Sequence, residues 1–264
     1  AMGARPAWCT LALSLPEASE DWIEAFGDGF FALADQHDIA LIGGDTTRGP
    51  LSLSVTAMGQ VGRGQALRRD RAQLGDDIWV SGTLGDAALA LHCLWGRDAL
   101  PAPDLARARQ RLEQPSPRVA LGQALRGVAH AAADVSDGLL GDLGHILKAS
   151  KVGADLMAAD AMTLIASSAY STSANGLFDP QSDRTAAVLE YVLSGGDDYE
   201  LVFTAAPAER EAIAAAGTKS NTRVTRVGTV TSAPGVRVLW PDGSQALGKW
   251  ASFDHFKAVA TPGP

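Results

Sequence analysis

A chain of 264 residues with 46% hydrophobic content can bury a full core and is long enough for one large domain or two modest ones. Its formal charge of −8 and the scatter of its 22 Lys and Arg argue against a nucleic-acid partner, which recruits a basic stripe. No apolar run is long enough to span a bilayer and the first residues lack the apolar core of a signal peptide, so a globular cytoplasmic protein with no membrane partner is expected.

In chain order, residues 8–15 read as an apolar strand. A helix from Pro16 to about His37 follows, with Trp22, Ile23, Phe26, Phe30, Phe31 and Leu33 near helical spacing. The run Ile39–Ile42 then leads into Gly43-Gly44-Asp45-Thr46-Thr47-Arg48-Gly49. Two readings stay open here: an ordinary Gly-Gly-Asp hairpin turn, or a strand-end loop whose glycines let a phosphate approach while Asp45 holds a divalent cation. Leu51, Leu53, Val55 and Ala57 alternate with polar residues, which predicts a strand with one buried face.

Arg68, Arg69 and Arg71 form either a solvated basic edge or a contact to a nucleotide phosphate. The strand 78–81 and Gly82-Thr-Leu-Gly85 open a helix from Asp86 to about Trp95, either with Asp86 as a plain helix cap or with an anion at the helix start. Pro101, Pro103, Pro115 and Pro117 surround a charged helix, 104–113, and predict a seam between domains 1–114 and 115–264. A short strand, 131–134, then delivers Asp134-Val-Ser136-Asp137-Gly138 to a helix over 139–150; Ser136 and Asp137 could be N-caps, but capping leaves Asp134 unexplained. Residues 167–183, rich in Ser, Thr, Asn and Asp, read as a surface loop. A helix over 184–193 runs into Ser194-Gly-Gly-Asp197-Asp198-Tyr199-Glu200 and a strand over 201–204. A helix over 207–216, a strand over 222–231 and short turn-linked strands follow, with aromatics near the end as a packing plug. Cys9 and Cys93 lack a partner motif and read as buried thiols.

Asp outnumbers Glu by 22 to 8, and Asp45, Asp134, Asp137, Asp142, Asp197 and Asp198 all fall in the three glycine-bearing segments. Like charges at 4 Å repel by about 4 kcal/mol at an effective dielectric of 20, so a convergent set needs a counter-cation, for which Mg²⁺ is the natural candidate.

Taken together and in this order, Gly-Gly-Asp-Thr-Thr, Asp-Val-Ser-Asp-Gly-Leu and Ser-Gly-Gly-Asp-Asp-Tyr-Glu-Leu resemble the thiamine-monophosphate kinase family. That family belongs to the ATP-binding superfamily that includes aminoimidazole ribonucleotide synthetase. The likeness extends to Met2-Gly-Ala-Arg-Pro6, Val80-Ser-Gly-Thr-Leu-Gly-Asp86, Pro115-Ser-Pro-Arg-Val119 and Asp254-His-Phe256. It implies a two-domain α/β (α+β) fold: an N-terminal mixed-sheet domain, here without its first strands, and a C-terminal α/β domain. It implies ATP-dependent phosphorylation of thiamine monophosphate to thiamine diphosphate, with ATP as co-substrate and several Mg²⁺ ions.

By the same resemblance Gly44, Asp45, Arg69 and Ser136 contact ATP, and Asp45, Asp134 and Asp137 bind metal. Asp197, where many relatives have Glu, and Phe253 touch the thiamine phosphate. No residue is expected to act as a general base, because the acceptor is already an anion and the task is to hold two anions in line. A homodimer through the N-terminal domain is also implied. The family's upstream segment with an Asp-Asp metal motif has no counterpart here, and a numbering that starts partway along a longer protein is the expected reason. The rivals are a catalytically silent nucleotide- or thiamine-phosphate-binding protein and a related synthetase; the hydrogenase-maturation branch needs a C-terminal cysteine tail, whereas this sequence closes on Thr261-Pro-Gly-Pro264.

Overall fold

The first apolar run forms β1 (Arg5–Leu15), and Ser19 then starts α1 (Glu20–Gln36) by accepting a hydrogen bond from the Trp22 amide at 3.4 Å. Glu20 and Asp21 lie in the first turn, where the helix dipole favours negative charge. The helix begins at the cap and not at Pro16. It crosses over to β2 (Ala40–Arg48), which pairs parallel to β1, and β3 (Ser52–Gln60) pairs antiparallel to β1 on its other side. The order β2-β1-β3 means that β2 and β3 are not paired, and β2 runs on through the motif to Arg48, so both the hairpin and the strand-end loop readings of Gly43–Gly49 are overturned. The glycine motif is itself strand: Gly44 pairs with Leu11, Asp45 with Ala12 and Arg48 with Leu15. A register shift beside Cys9 and Thr10 leaves Ile42 as the extra residue of a bulge immediately before it.

The computed structural model describes residues 1–167, 170, 180, 182–248 and 250. It divides into two compact units, Gly3–Ala66 and a larger one made of Ala1–Met2 with Leu67–Pro264. The proline-rich stretch 96–117 lies inside the larger unit, where α2 (Asp86–Leu94) packs against α3 (Ala102–Glu113). In the smaller unit the alternating face of β3 is not buried: Leu53 is 41% and Val55 52% exposed, because three strands and one helix supply too little second layer to cover it.

The larger unit is built on a six-stranded sheet. Its strands are β4 (Asp77–Ser81), β5 (Ala131–Val135), β6 (Gly153–Met157), β7 (Glu200–Ala205), β8 (Val224–Thr231) and β9 (Gly235–Leu239), in the order β5-β7-β4-β8-β6-β9. Every pairing is antiparallel except that of β6 with β9. The central strands β4 and β7 are buried throughout, and alternate residues serve opposite faces. Ile78, Val80 and Val202 pack with α5 (Leu139–Ser150) and α7 (Asp183–Ser194) through Leu143, Ile146, Val188 and Val192. Trp79 and Phe203 stack at 6.4 Å on the other face, beside α4 (Val119–Ala124) and α8 (Arg210–Lys219), which contribute Leu121 and Ile213. A short α6 (Ala158–Met162) completes the helices described, and helices therefore cover both faces. Cys9 is buried, Cys93 half-buried, and both are free thiols.

Phe203 has no exposed surface and is stacked on Trp79. Phe203→Ala is expected to cost about 3–5 kcal/mol of unfolding free energy in urea titration. A loss under about 1 kcal/mol would mean that this face of the sheet is not a packed core.

Candidate functional site

On the smaller unit, Gly44 and Asp45 lie within β2, and both are exposed. A Cβ added at Gly44 would sit 1.9 Å from the Leu11 carbonyl oxygen, so this position tolerates only glycine at such close strand approach. Asp45 follows it on the same strand. Thr46, Thr47 and Arg48 continue the polar run.

On the larger unit the site is made by two loops at one end of the sheet. Edge strand β5 pairs with β7, so the residues that leave β5 and those that enter β7 are neighbours. The Asp197 amide donates to the Ser136 carbonyl at 2.9 Å and the Tyr199 amide to the Val135 carbonyl at 2.9 Å, carrying the ladder beyond the strands. Gly196 permits this approach, since a Cβ there would lie 2.6 Å from the Ser136 oxygen. Asp134, Ser136, Asp137 and Asp197 are thus assembled on one unit from two distant segments. Asp197 has φ 68° and Tyr199 φ 51°, left-handed backbone that non-glycine residues adopt only when their surroundings hold them there.

Neither Ser136 nor Asp137 is an N-cap. The residue before α5 is Gly138, with no side-chain cap, and Asp142 from the first turn reaches back instead. Its Oδ2 accepts from the Ser136 amide at 2.8 Å and the Asp137 amide at 3.1 Å. The loop is braced through its backbone, and within it the Ser136 hydroxyl donates to Asp137 Oδ2 at 3.4 Å. Burial raises the Asp142 carboxyl above its ordinary range, those two hydrogen bonds oppose the rise, and Asp137 and Asp134 add to it by repulsion. Asp134, half-exposed, lies 3.6 Å from Arg69. Its neighbour Arg68 is occupied by Asp70 through bonds of 2.7 and 2.5 Å, so the basic run splits into a solvated ion pair and one guanidinium that faces the acidic loop.

Asp86 does not cap α2 either. The preceding residue is Gly85, and the carboxylate serving the helix start comes from Asp198, which accepts from the Gly85 amide at 2.7 Å and the Ala87 amide at 3.4 Å. Asp86 turns the other way and accepts from the amides of Ala166 and Ser167 at 3.0 and 2.9 Å. Both carboxyls are buried, and burial raises both; Asp198 is pushed up to about 8, with Asp86 adding repulsion against the bonds from Gly85 and Ala87. The space at this helix start is therefore filled by the protein's own carboxyl group.

Glu200 is wholly buried and meets two arginines. Arg118 forks onto it at 2.7 and 2.5 Å, Arg111 reaches it at 2.7 Å, and the Ser81 hydroxyl donates at 2.6 Å. These partners escaped sequence reasoning. Arg111 lies in the charged helix read as a seam, and Arg118 in a proline motif with no assigned role; a glutamate opening an otherwise apolar strand is the one sequence signal that counter-charges must lie nearby. Tyr199, one of the polar side chains crowded before the strand in the sequence, is given no role of its own by sequence reasoning. Its ring is 45% exposed, and burial of the hydroxyl, repulsion from Asp197 and a hydrogen bond to Asp197 all raise its pKa, so the phenol stays a donor.

Among the described residues no three His, Cys, Asp or Glu side chains converge tightly enough to hold a metal unaided. Phe253 and the 167–183 loop, apart from residues 167, 170, 180, 182 and 183, lie outside the described residues.

Comparison with known proteins bears on the whole chain. The N-terminal domain of AIR synthase related proteins matches residues 1–61 and the C-terminal domain of the same family residues 73–241. The chain is 43% identical over 263 residues to a thiamine-monophosphate kinase of Salmonella typhimurium, covering 99% of this chain and 76% of that protein. The crystal structure of thiamine-monophosphate kinase from Stenotrophomonas maltophilia K279a superposes with a TM-score of 0.80 at 60% identity, covering 93% of this chain and 75% of that one. AaThiL complexed with AMPPCP and TMP superposes with a TM-score of 0.77 at 27% identity, covering 97% and 75%.

The raised carboxyl of Asp198 sets a pH dependence. In the folded chain it holds its proton up to about pH 8, whereas an unfolded Asp loses it near pH ~3.9. Between those values the native state binds the extra proton, so this contribution to stability falls as pH rises, by at most about 1.4 kcal/mol per unit. Urea titrations from pH 5 to 8 should show the parent protein losing stability relative to Asp198→Asn. Parallel pH profiles would assign the proton elsewhere.

Proposed function

The chain belongs to the AIR synthase related family, among its thiamine-monophosphate kinases, and from that premise we infer that it transfers the γ-phosphoryl group of ATP to thiamine monophosphate, giving thiamine diphosphate. The observation that carries this reading to the residues is the ladder of two backbone hydrogen bonds that joins the Asp134–Gly138 loop to the Gly195–Tyr199 loop. It gathers carboxylates from segments some sixty residues apart, Asp137 and Asp197 among them, which an isolated turn or helix cap has no reason to do.

Arg69, beside Asp134, and the Ser136 hydroxyl are suited to the phosphates of ATP, as Gly44 and Asp45 are on the smaller unit. Asp134 and Asp137 fit Mg²⁺, which takes one or two carboxylates and completes its shell with phosphate oxygens and water, so the lack of a three-residue cluster among the described residues does not count against it. Asp45 is a further carboxylate for the same use. Bound there, Mg²⁺ would supply neutralisation of the charge shared by donor and acceptor phosphates.

The acceptor oxygen is already ionised. The protein therefore needs no general base, and its own side chains have to orient, screen and exclude water. Asp197, displayed at the loop edge beside the Tyr199 hydroxyl, is our choice for the aminopyrimidine or thiazolium of the acceptor, with Phe253 as the aromatic partner.

We also assign a homodimer through the smaller unit. Leu41, Ile42, Leu51, Leu53 and Val55 all stand exposed there, an apolar surface of the kind a second copy covers. A cytoplasmic location accords with ATP as donor; no helix among the described residues is long and apolar enough to cross a membrane.

The test combines turnover with binding. Thiamine diphosphate should accumulate from thiamine monophosphate and ATP, and Asp137→Asn should weaken Mg·ATP binding by calorimetry about tenfold or more, the worth of one charge-assisted contact. Unaltered Mg·ATP binding by this variant would remove Asp137 from the site. Binding of both substrates by the parent protein without product would favour the silent-binder rival.

A further inference from the structure

Arg111 lies on α3, more than eighty residues before the Gly195–Tyr199 loop, and has no role in the reading above. Its Nη2 donates to the Asp198 carbonyl at 3.0 Å and to Glu200 Oε1 at 2.7 Å. Between these two acceptors stands Tyr199, and just before them Asp197, the two non-glycine residues of this loop with left-handed backbone. Such a conformation is unfavourable for a residue with a side chain and persists only where neighbours enforce it.

The enforcement comes from two sides. Outward, the amides of Asp197 and Tyr199 are tied to Ser136 and Val135. Inward, the Asp198 side chain is tied to the start of α2, while its carbonyl is tied to Arg111. Arg111 thus joins the loop's backbone to the buried Glu200 through a single nitrogen. Asp198 and Glu200 are buried, whereas Tyr199 is exposed and Asp197 half-buried, so the inward ties decide where the outward side chains stand.

We infer that Arg111 is a positioning residue for the phosphoryl acceptor: by clamping the Asp198 carbonyl and Glu200 together it fixes the backbone that presents Asp197. This rests on Asp197 as an acceptor contact. Arg118 keeps its own forked pair with Glu200 when Arg111 is replaced, so the buried carboxylate stays compensated and Arg111 can be removed without exposing a lone internal charge.

The experiment measures KM for thiamine monophosphate and for ATP, together with kcat and Tm, in Arg111→Met, Arg111→Lys, Asp197→Ala and the double variant Arg111→Met/Asp197→Ala. Arg111→Met should raise the acceptor KM about tenfold, with the ATP KM changing less than about twofold. Arg111→Lys, which keeps a cationic donor, should restore part of the loss. The double variant should be no worse for the acceptor than Asp197→Ala alone, because the effect passes through Asp197.

A merely structural role would lower Tm and degrade both substrates alike, and that result overturns the inference, as does strict additivity in the double variant. If Asp197→Ala raises the acceptor KM and the Arg111 variants do not, only the role of Arg111 falls. If Asp197→Ala itself leaves the acceptor KM unchanged, the assignment of Asp197 falls and the inference with it. Should Arg111→Met not fold, Arg111→Lys is judged by the same split between the two KM values.

Discussion

A glutamate with no exposed surface is the constraint around which the larger unit is arranged. Removing a carboxylate from water costs several kcal/mol even after relaxation, and the cost is met only when counter-charge and hydrogen bonds saturate it. Glu200 receives two guanidinium groups and a hydroxyl, and those donors come from α3, from the residue ahead of α4 and from the end of β4. Ser81 couples the arrangement back to β7 by accepting from the Leu201 amide at 2.8 Å. Four pieces of chain are fixed about one side chain. Such an arrangement contributes little net stability compared with an apolar core, but its directed hydrogen bonds favour one placement of the parts over others.

That placement reaches the surface through the backbone. The alternation of a β-strand runs on past the start of β7, so the burial of Glu200 and Asp198 turns Tyr199 and Asp197 the other way. A regular strand could not supply this alone, because the chain must also turn sharply to meet the loop from β5. The left-handed conformations at residues 197 and 199 make that turn, and the hydrogen bonds to Ser136 and Val135 hold it. Strain of this kind, concentrated in the segment that displays the acidic side chains, is what a rigid recognition surface requires, and the glycine pair before it gives the room.

Much of this was legible in the sequence, for reasons that differ by element. The strand over 131–134 and the helix over 139–150 were read almost as they stand, because an apolar run ending in Asp-x-Ser-Asp-Gly marks both a strand end and a helix start. The acidic loops were legible as chemistry from their glycines and clustered carboxylates. What could not be read was pairing. Gly43–Gly49 looks like a turn because glycines usually mark one, yet here Gly44 serves a strand lying too close to its neighbour for a side chain. The start of α2 is held by Asp198, far away in sequence, and the loop ahead of α5 by Asp142 from within that helix, so local capping rules pointed at the wrong carboxylates. The apolar alternation of β3 was correctly read as strand and wrongly read as buried, since periodicity reports which residues share a face but not what covers that face.

The balance of charge at the two loops bears on how they work. Asp134, Asp137 and Asp197 are gathered there, and Arg69 at 3.6 Å is the cation nearest Asp134 among the ion pairs described. Like charges repel by roughly 1 kcal/mol per pair at 4 Å in water and more where water is excluded, although among the described residues no three of these side chains converge on a common point. A polyphosphate entering such a place unaccompanied would add to the repulsion, so the loops favour a nucleotide that arrives with its cations over the bare anion. The same repulsion explains why the rigidity has to come from elsewhere. Side chains that push one another apart cannot hold a loop together, and the holding is therefore assigned to groups outside the cluster: Asp142 on the amides of one loop, and Asp198, Glu200 and the two arginines beneath the other.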